Sequence, residues 1–358
     1  MLKFILRRLT YGLLVLLGVV VVVFFLFNIL PGDPARMMLG QRADIESIEA
    51  INKELGRDQP MYMQFLDYFN DLSPISIHNI SDPNSRSHID REKYDGRVKL
   101  FAIGESALVL KKPYLRRSYQ TSQLVTSMIS DALPGTAILA IFALLIAAIV
   151  GIGLGVLASV YKDTWTDNVA LVFAVLGMSI PSFFAGIIVA WLFGYVLSDY
   201  TGLSMTGSLY EIDPFRGKVL CLQNMILPGL TLGIRPLSII TQLTRSSMLD
   251  VMSQDYIRTA NAKGLSKYTV LVKHALRNAL NPVITAISGW LGSLLAGALF
   301  VEYIFGWKGI GKMIVDALES YDFPVVMGAV LVVAGIFVII NILVDIIYGW
   351  LDPRVRVK

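Results

Sequence analysis

The chain holds one cysteine, Cys221, and three histidines among 358 residues. A lone cysteine excludes an intrachain disulfide and a cysteine-built metal site. His78, His88 and His274 are scattered, so no metal site is expected. Charge is also scarce. Asp, Glu, Lys and Arg make up 16% of the residues, against about 25% in an ordinary soluble domain. Neither a nucleophile–base set nor a pair of catalytic carboxylates appears, so no catalytic residues are expected and the chain reads as a non-enzyme. Nothing supports a nucleic-acid partner.

The charge is missing in blocks. Residues 9–32, 132–161, 168–198, 219–234, 278–301 and 323–344 carry none. A membrane-spanning helix needs roughly 20 apolar residues. Five of the runs meet that alone, and the fourth continues past Arg235 through 236–244. The expectation is an all-α integral membrane chain of six transmembrane helices. The first run follows Lys3, Arg7 and Arg8, but it is longer than the roughly 7–15 residues of a signal-peptide core. It reads as a retained span.

Lys and Arg in short loops set topology. With the N-terminus inside, the inner segments 1–8, 161–167, 245–281 and 345–358 carry thirteen of them, and the two short outer loops carry four. Six spans then leave both termini in the cytoplasm, with membrane lipid as a partner. The expected organisation is a tail and first span (1–30), an extracytoplasmic loop or small cap (31–131), a five-helix core (132–350) and a cytoplasmic tail (351–358). The Ser-, Asn-, Asp- and Pro-rich stretch 73–95 reads as loop. Val125, Met128, Ile129, Ala132 and Leu133 fall at helical spacing, predicting an interfacial helix before the second span.

The core includes a polar cytoplasmic loop, 245–281. Residues 253–263 lack Pro and Gly and predict a short helix. Gly264 permits a turn at positive φ. Ser266 is placed to cap a second helix, on which Val270, Leu271, His274, Ala275 and Asn278 share a face. Asn281-Pro282 marks entry to the fifth span. Ala260 and Ala262 leave a surface of little bulk, suited to close docking of a soluble partner.

At these residues the chain resembles the permease subunits of ABC importers, in the dipeptide/oligopeptide/nickel branch. The branch pattern Tyr-x-Arg-Thr-Ala-x-Ala-Lys-Gly is met by Tyr256, Arg258, Thr259, Ala260, Ala262, Lys263 and Gly264, followed by His274 to Ala279 and Pro282. Position 261 is Asn where the branch usually has Arg. Further matches run in order: Leu30-Pro31-Gly32-Asp33-Pro34, Leu55-Gly56-Arg57, Ser179-Ile180-Pro181, Leu243-Thr244-Arg245-Ser246-Ser247-Met248-Leu249, Glu302 through Gly311, Asp322, Pro324, Asn341, Asp345 and Asp352-Pro353-Arg354. Residues 73–115 fall outside the resemblance.

The resemblance implies a type I ABC importer permease fold with an extracytoplasmic insertion after helix 1. It implies a pore subunit paired with a second homologous permease, two ATPase subunits and an extracytoplasmic substrate-binding protein. The seven residues Tyr256 to Gly264 would couple to an ATPase. ATP-Mg would sit on the partner subunits, leaving no cofactor on this chain. Dipeptides or oligopeptides are the expected cargo, with nickel or another small solute as the alternative within the class. An ion-coupled secondary transporter is the rival from another class.

Other residues leave readings open. Gly306 to Met313 approximates a phosphate-binding loop but ends in Met where a hydroxyl would hold Mg²⁺, so no nucleotide site is expected. Arg235 lies inside the fourth span, where a charge costs roughly 2.5–3.5 kcal/mol. It is either a pathway residue or a structural partner to another polar group. Asp345 and Glu302, at span ends, read as solvated. Asn28 and Asn341 read as interhelical hydrogen-bonders. Gly151 and Gly155 permit close packing, within the chain or against the second permease. Pro181 is expected to kink the third span.

Overall fold

A computed structural model describes residues 2–29, 44–54, 57–79, 94 and 98–351. The motifs Leu30 to Pro34, Leu55-Gly56 and Asp352-Pro353-Arg354, together with His88 and most of the polar stretch after 79, lie outside the described residues.

Among the described residues, four helices are long and apolar enough to cross a membrane. They are α1 (Leu2–Ile29), α4 (Val125–Val160), α7 (Ile226–Met252, lengthened by the turn from Leu222) and α12 (Phe323–Leu351). A fifth candidate is broken. Helix α5 (Trp165–Ser179) and helix α6 (Ser182–Trp191), which runs on as a π-helical turn to Val196, meet the test together but bend by 112°. The cause is Pro181. A residue before proline is pushed out of the helical region, and Ile180 is extended at ψ 127. The expected kink is therefore a break. The expected fifth span, α9 (Arg277–Gly297), is a 21-residue helix. It carries Asn278, Asn281, Thr285, Ser288 and Ser293 and is not among the candidates. The chain is a multi-pass membrane protein.

The structure is predominantly helical, and among the described residues five short strands accompany the helices. The chain forms two compact units. One comprises 13–131 and 313–334. In it, α2 (Ile45–Glu54) and α3 (Met61–Leu72) precede a three-stranded antiparallel sheet in the order β1-β3-β2, built from β1 (Ile75–Asn79), β2 (Val98–Ile103) and β3 (Ser106–Leu110). The turn Gly104-Glu105 joins Ile103 to Ser106, with Gly104 at φ 60. A two-residue hairpin turn demands such a residue. The described parts of 73–115, where the sequence motifs give out, thus form this sheet. Asp71, buried, organises it. Its carboxylate accepts from the Tyr94 hydroxyl at 2.6 Å, and its carbonyl from Lys111 Nζ at 2.7 Å and Tyr114 N at 2.9 Å. Burial, with the Asp71 carboxylate second, pushes the Tyr94 hydroxyl well above its usual range. Asp322 accepts from the Ser118 hydroxyl and from Tyr119 N. Phe27 and Phe323 pack 5.6 Å apart. Val125 does not begin a separate interfacial helix. It starts α4, which continues unbroken for 36 residues.

The second unit comprises 1–12, 132–312 and 335–358. Its core joins Leu139, Ala143 and Leu144 of α4 with Ala190 of α6, Leu227 and Leu232 of α7, and Leu294 of α9. Small residues bring the helices close, as packing in lipid favours. A Cβ on Gly151 would lie 3.0 Å from Leu237 O, and one on Gly155 2.6 Å from Thr241 O. These glycines therefore serve α4–α7 packing inside the chain. A hairpin, β4 (Tyr210–Asp213) with β5 (Gly217–Leu220), lies between α6 and α7. Asn341 and, in the other unit, Asn28 donate to the carbonyls of Phe337 and Phe24 in their own helices. The expected interhelical bonds are not what these side chains make. Asp345 pairs with Arg8 at 3.1 Å.

Candidate functional site

The loop between α7 and α9 is short, polar and firmly built. Helix α8 (Asp255–Ala262) ends in a left-handed turn. Gly264 sits at φ +73, its N–H bonds Asn261 O at 3.0 Å, and Leu265 N bonds Ala260 O at 3.4 Å. This pair of bonds is a Schellman motif, which satisfies carbonyls at a helix end and favours glycine. The Ser266 side chain then accepts from Thr269 N at 3.3 Å, the cap expected of it. The single turn Lys267–Thr269 and a π-helical stretch, Val270–Leu276, lead directly into α9. Pro282 lies inside α9, so the span entry expected there begins five residues earlier, at Arg277.

Two faces separate along α8. Ile257 and Ala260, one turn apart, are buried with Met248, Val270, Ala275 and Ala279. Tyr256, Arg258, Thr259, Ala262, Lys263 and Gly264 are exposed, and exposure continues unbroken from Asn261 to Tyr268. Six of the seven singled-out residues therefore share an outward surface. Ala260 does not. It is 6% exposed, and its small side chain lets α8 approach its own chain, which corrects the docking role expected for it. Leu265 and Tyr268 belong to the outward surface and were missed; Tyr268 is 75% exposed. Asn278 Nδ2 donates to the Tyr256 hydroxyl at 2.9 Å and pins α8 to the start of α9. The Arg258–Asp255 pair at 3.5 Å is solvated on both sides and adds little, about 0–1 kcal/mol.

An ion pair stands behind this loop. Arg245, near the end of α7, reaches Asp167 in the first turn of α5. Asp167 also accepts from Asp163 N at 3.0 Å, in a turn where Asp163 has φ 61. Seventy-eight residues separate the partners, and nothing in their spacing announces the pair.

Arg235 is exposed on α7, beside the buried Pro236. Among the described residues no carboxylate pairs with it.

Glu302, on α10 (Leu299–Ile304), is fully buried, which corrects the solvated reading. Its Oε2 accepts from Gly311 N at 2.7 Å and Lys312 N at 3.2 Å, at the start of α11 (Ile310–Glu319). A carboxylate suits a helix N-terminus. Burial nonetheless pushes its carboxyl up to about 6, against the lowering by Thr136 and the two N–H donors. Trp307 Nε1 donates to Gly135 O at 3.0 Å, and Ile310 N to Thr136 Oγ1 at 2.8 Å. The N–H groups of 307, 309, 310, 311 and 312 thus bond protein acceptors. A phosphate would find them engaged.

Known proteins match this chain along its length. Residues 151–357 match the family described as binding-protein-dependent transport system inner membrane component, and residues 1–79 match that family's N-terminal component. The dipeptide transport system permease protein DppB of Alkalihalophilus pseudofirmus is 34% identical, over 99% of this chain and 100% of its own. The probable D,D-dipeptide transport system permease protein DdpB of Escherichia coli is 36% identical, over 98% and 97%. The glutathione transport system permease protein GsiC of Salmonella choleraesuis is 33% identical, over 100% of both chains.

Proposed function

The chain belongs to the binding-protein-dependent transport system inner membrane components, and we propose that it is the pore-forming permease subunit of an ATP-driven importer of dipeptides or oligopeptides. The observation that carries the mechanism is the outward surface of α8 and its following turn, backed by Ile257 and Ala260. A polar helix that is buried on one side and bare on the other is suited to a soluble partner. In this reading an ATPase seats Tyr256, Arg258, Thr259, Ala262, Lys263 and Gly264, with Ala260 supporting them from beneath. The names of the relatives, all permeases of small-peptide systems, favour a peptide cargo over nickel. Glutathione is itself a small peptide, so the names do not choose among peptides.

The assembly proposed is this permease, a second homologous permease, two ATPases carrying ATP-Mg, and an extracytoplasmic binding protein. The chain would hold the type I permease fold with six spans, counting the broken pair as the third and α9 as the fifth, and with both termini in the cytoplasm. Residues 31–131 would form the extracytoplasmic insertion, and 245–281 the cytoplasmic coupling loop of the 132–350 core. The mechanism follows from linkage. ATP closes the ATPase pair, α8 moves with its groove, and the rest of the unit follows because the Met248–Ile257–Val270–Ala279 cluster and the Arg245–Asp167 pair join α8 to α5, α7 and α9. Each ligand drives the cycle only as far as its affinities for the two states differ.

Purification of this chain in mild detergent, with and without Gly264→Arg, tests the reading. ATPases that accompany the parent chain and are lost from the variant support it. A chain that carries peptide without any ATPase turns the reading toward an ion-coupled transporter.

A further inference from the structure

Two helices of the second unit carry a polar face that runs from the cytoplasmic loop, at Ser246 and Asn281, into the expected spans, at Arg235, Gln242, Thr285 and Ser288. On α7, Arg235, Gln242 and Ser246 are exposed and fall seven and eleven residues apart, which places them on one face. On α9, Asn281 and Thr285 are exposed and Ser288 half-buried, again at helical spacing on one face. The helices pack together through Ile240, Leu243, Leu280, Val283 and Ile287. Towards the start of α7 the polar face closes. Thr231, one turn before Arg235, is buried, and α6 approaches it at Gly186, where a Cβ would lie 3.5 Å from Thr231 Cγ2. On α4 the exposed positions within the unit are apolar, such as Ile149; single polar residues are exposed elsewhere, as at Ser179 on α5 and Ser293 on α9, but do not line up into such a face.

The polar groups differ in what they need. Thr285 and Ser288 donate to carbonyls one turn back, at 3.1 and 2.9 Å, so lipid or water around them is tolerable. Arg235 has five donors and a charge that does not neutralise, and no carboxylate among the described residues meets it. Lipid would impose the full cost of an intramembrane charge. Water and a mobile anion would not.

We propose that this face of α7 and α9 lines the water-filled solute path, and that Arg235 is its specificity residue, receiving the terminal carboxylate of the passing peptide. The inference rests on the importer reading for the identity of the cargo, but the wet face stands independently of it. Arginine suits the task because its planar fork matches a carboxylate with two parallel bonds. The closure at Thr231 places Arg235 as the first polar residue beneath the shut end of the face.

Cys221 is the chain's one cysteine, so Cys221→Ser gives a clean background for labelling. In the assembled complex in vesicles opened to both sides, Gln242→Cys and Thr285→Cys are expected to react with a charged maleimide at least tenfold faster than Ile149→Cys. Equal rates at all three overturn the wet face. Millimolar dialanine is expected to slow labelling of Gln242→Cys severalfold, while dialanine amide does not. The slowing disappears when Arg235→Gln is added and survives with Arg235→Lys. Slowing that is absent, that the amide shares, or that persists in Arg235→Gln overturns the carboxylate role. Labelling in a complex that retains no ATPase would sink the importer reading and leave the wet face standing.

Discussion

Arg245 holds Asp167 with two nitrogens, Nε at 2.5 Å from Oδ1 and Nη2 at 2.6 Å from Oδ2. The carboxylate is 1% exposed. Removing one partner of such a pair strands a buried charge and costs roughly 3–5 kcal/mol. Arg245→Ala is therefore expected to lower the melting temperature in detergent sharply. Arg245→Lys, which keeps the charge but loses the fork, falls between. Asp167→Asn combined with Arg245→Gln recovers part of the loss, because neither charge is then stranded. An additive double variant would show that the two side chains do not act on each other.

The two faces of α8 separate stability from coupling. Ile257→Ala opens a cavity against Met248 and Val270 and is expected to cost roughly 2–5 kcal/mol. Tyr268→Ala, on the exposed side, stays within about 0.5 kcal/mol yet lowers ATP-driven uptake and ATPase retention. Thermal scans beside uptake in reconstituted vesicles check this. Normal uptake in Tyr268→Ala would remove that residue from the docking surface.

Glu302 gives the chain a pH-dependent element. Its carboxyl rises from the usual value near 4.5 to about 6 on folding. The folded state then binds the proton more tightly than the unfolded one. The stability it contributes is present below pH 4.5 and is lost as pH rises through 6. A shift of this size is worth at most about 2 kcal/mol. Glu302→Gln is expected to flatten the melting temperature between pH 4.5 and 6.5 relative to the parent. Parallel pH profiles for the two would refute it.

Crowding at the same site forbids a side chain. A Cβ on Gly311 would lie 2.4 Å from Leu299 Cα, and one on Gly309 2.4 Å from the Glu302 carboxylate. Gly311→Ala meets backbone and is expected to be the more damaging, by several kcal/mol on the scale of core overpacking. Expression and melting of the two alanine variants rank them.

The carboxylate of Asp322 holds the strand exit at Ser118 and Tyr119. With Asp322→Ala that exit loses both anchors. Trypsin is expected to cut at Arg117, already exposed, several times faster than in the parent. Equal cutting would mean that the remaining bonds, among them Ser118 N to Gln123 O, Val125 N to Arg116 O and Gln120 Nε2 to Ser320 O, suffice without the Asp322 carboxylate.

Local chemistry was legible in the chain. Gly264 turns at positive φ and Ser266 caps because each acts on backbone a few residues away. Pro181 breaks the third span for the same reason, although the depth of the break came from the extended Ile180 before it. The strands β1, β2 and β3 were missed because residues 73–115 carry short polar runs, and β1 pairs with β3 across a gap of some thirty residues. Ala260 was read as a docking position from its size, a property that serves an inner face and an outer one equally.

What the sequence determined by itself is that the chain crosses a membrane several times, and its family. Uncharged runs of spanning length belong in lipid, and an ordered series of motifs names the family. Tertiary structure decided which side each residue faces. It buried Glu302 and Ala260, joined Asp167 to Arg245, turned the Gly151–Gly155 pair inward onto α7, and left Arg235 bare. Those outcomes depend on contacts between residues far apart in the chain. Helical spacing says which residues share a face, but only the packed neighbours say what that face meets.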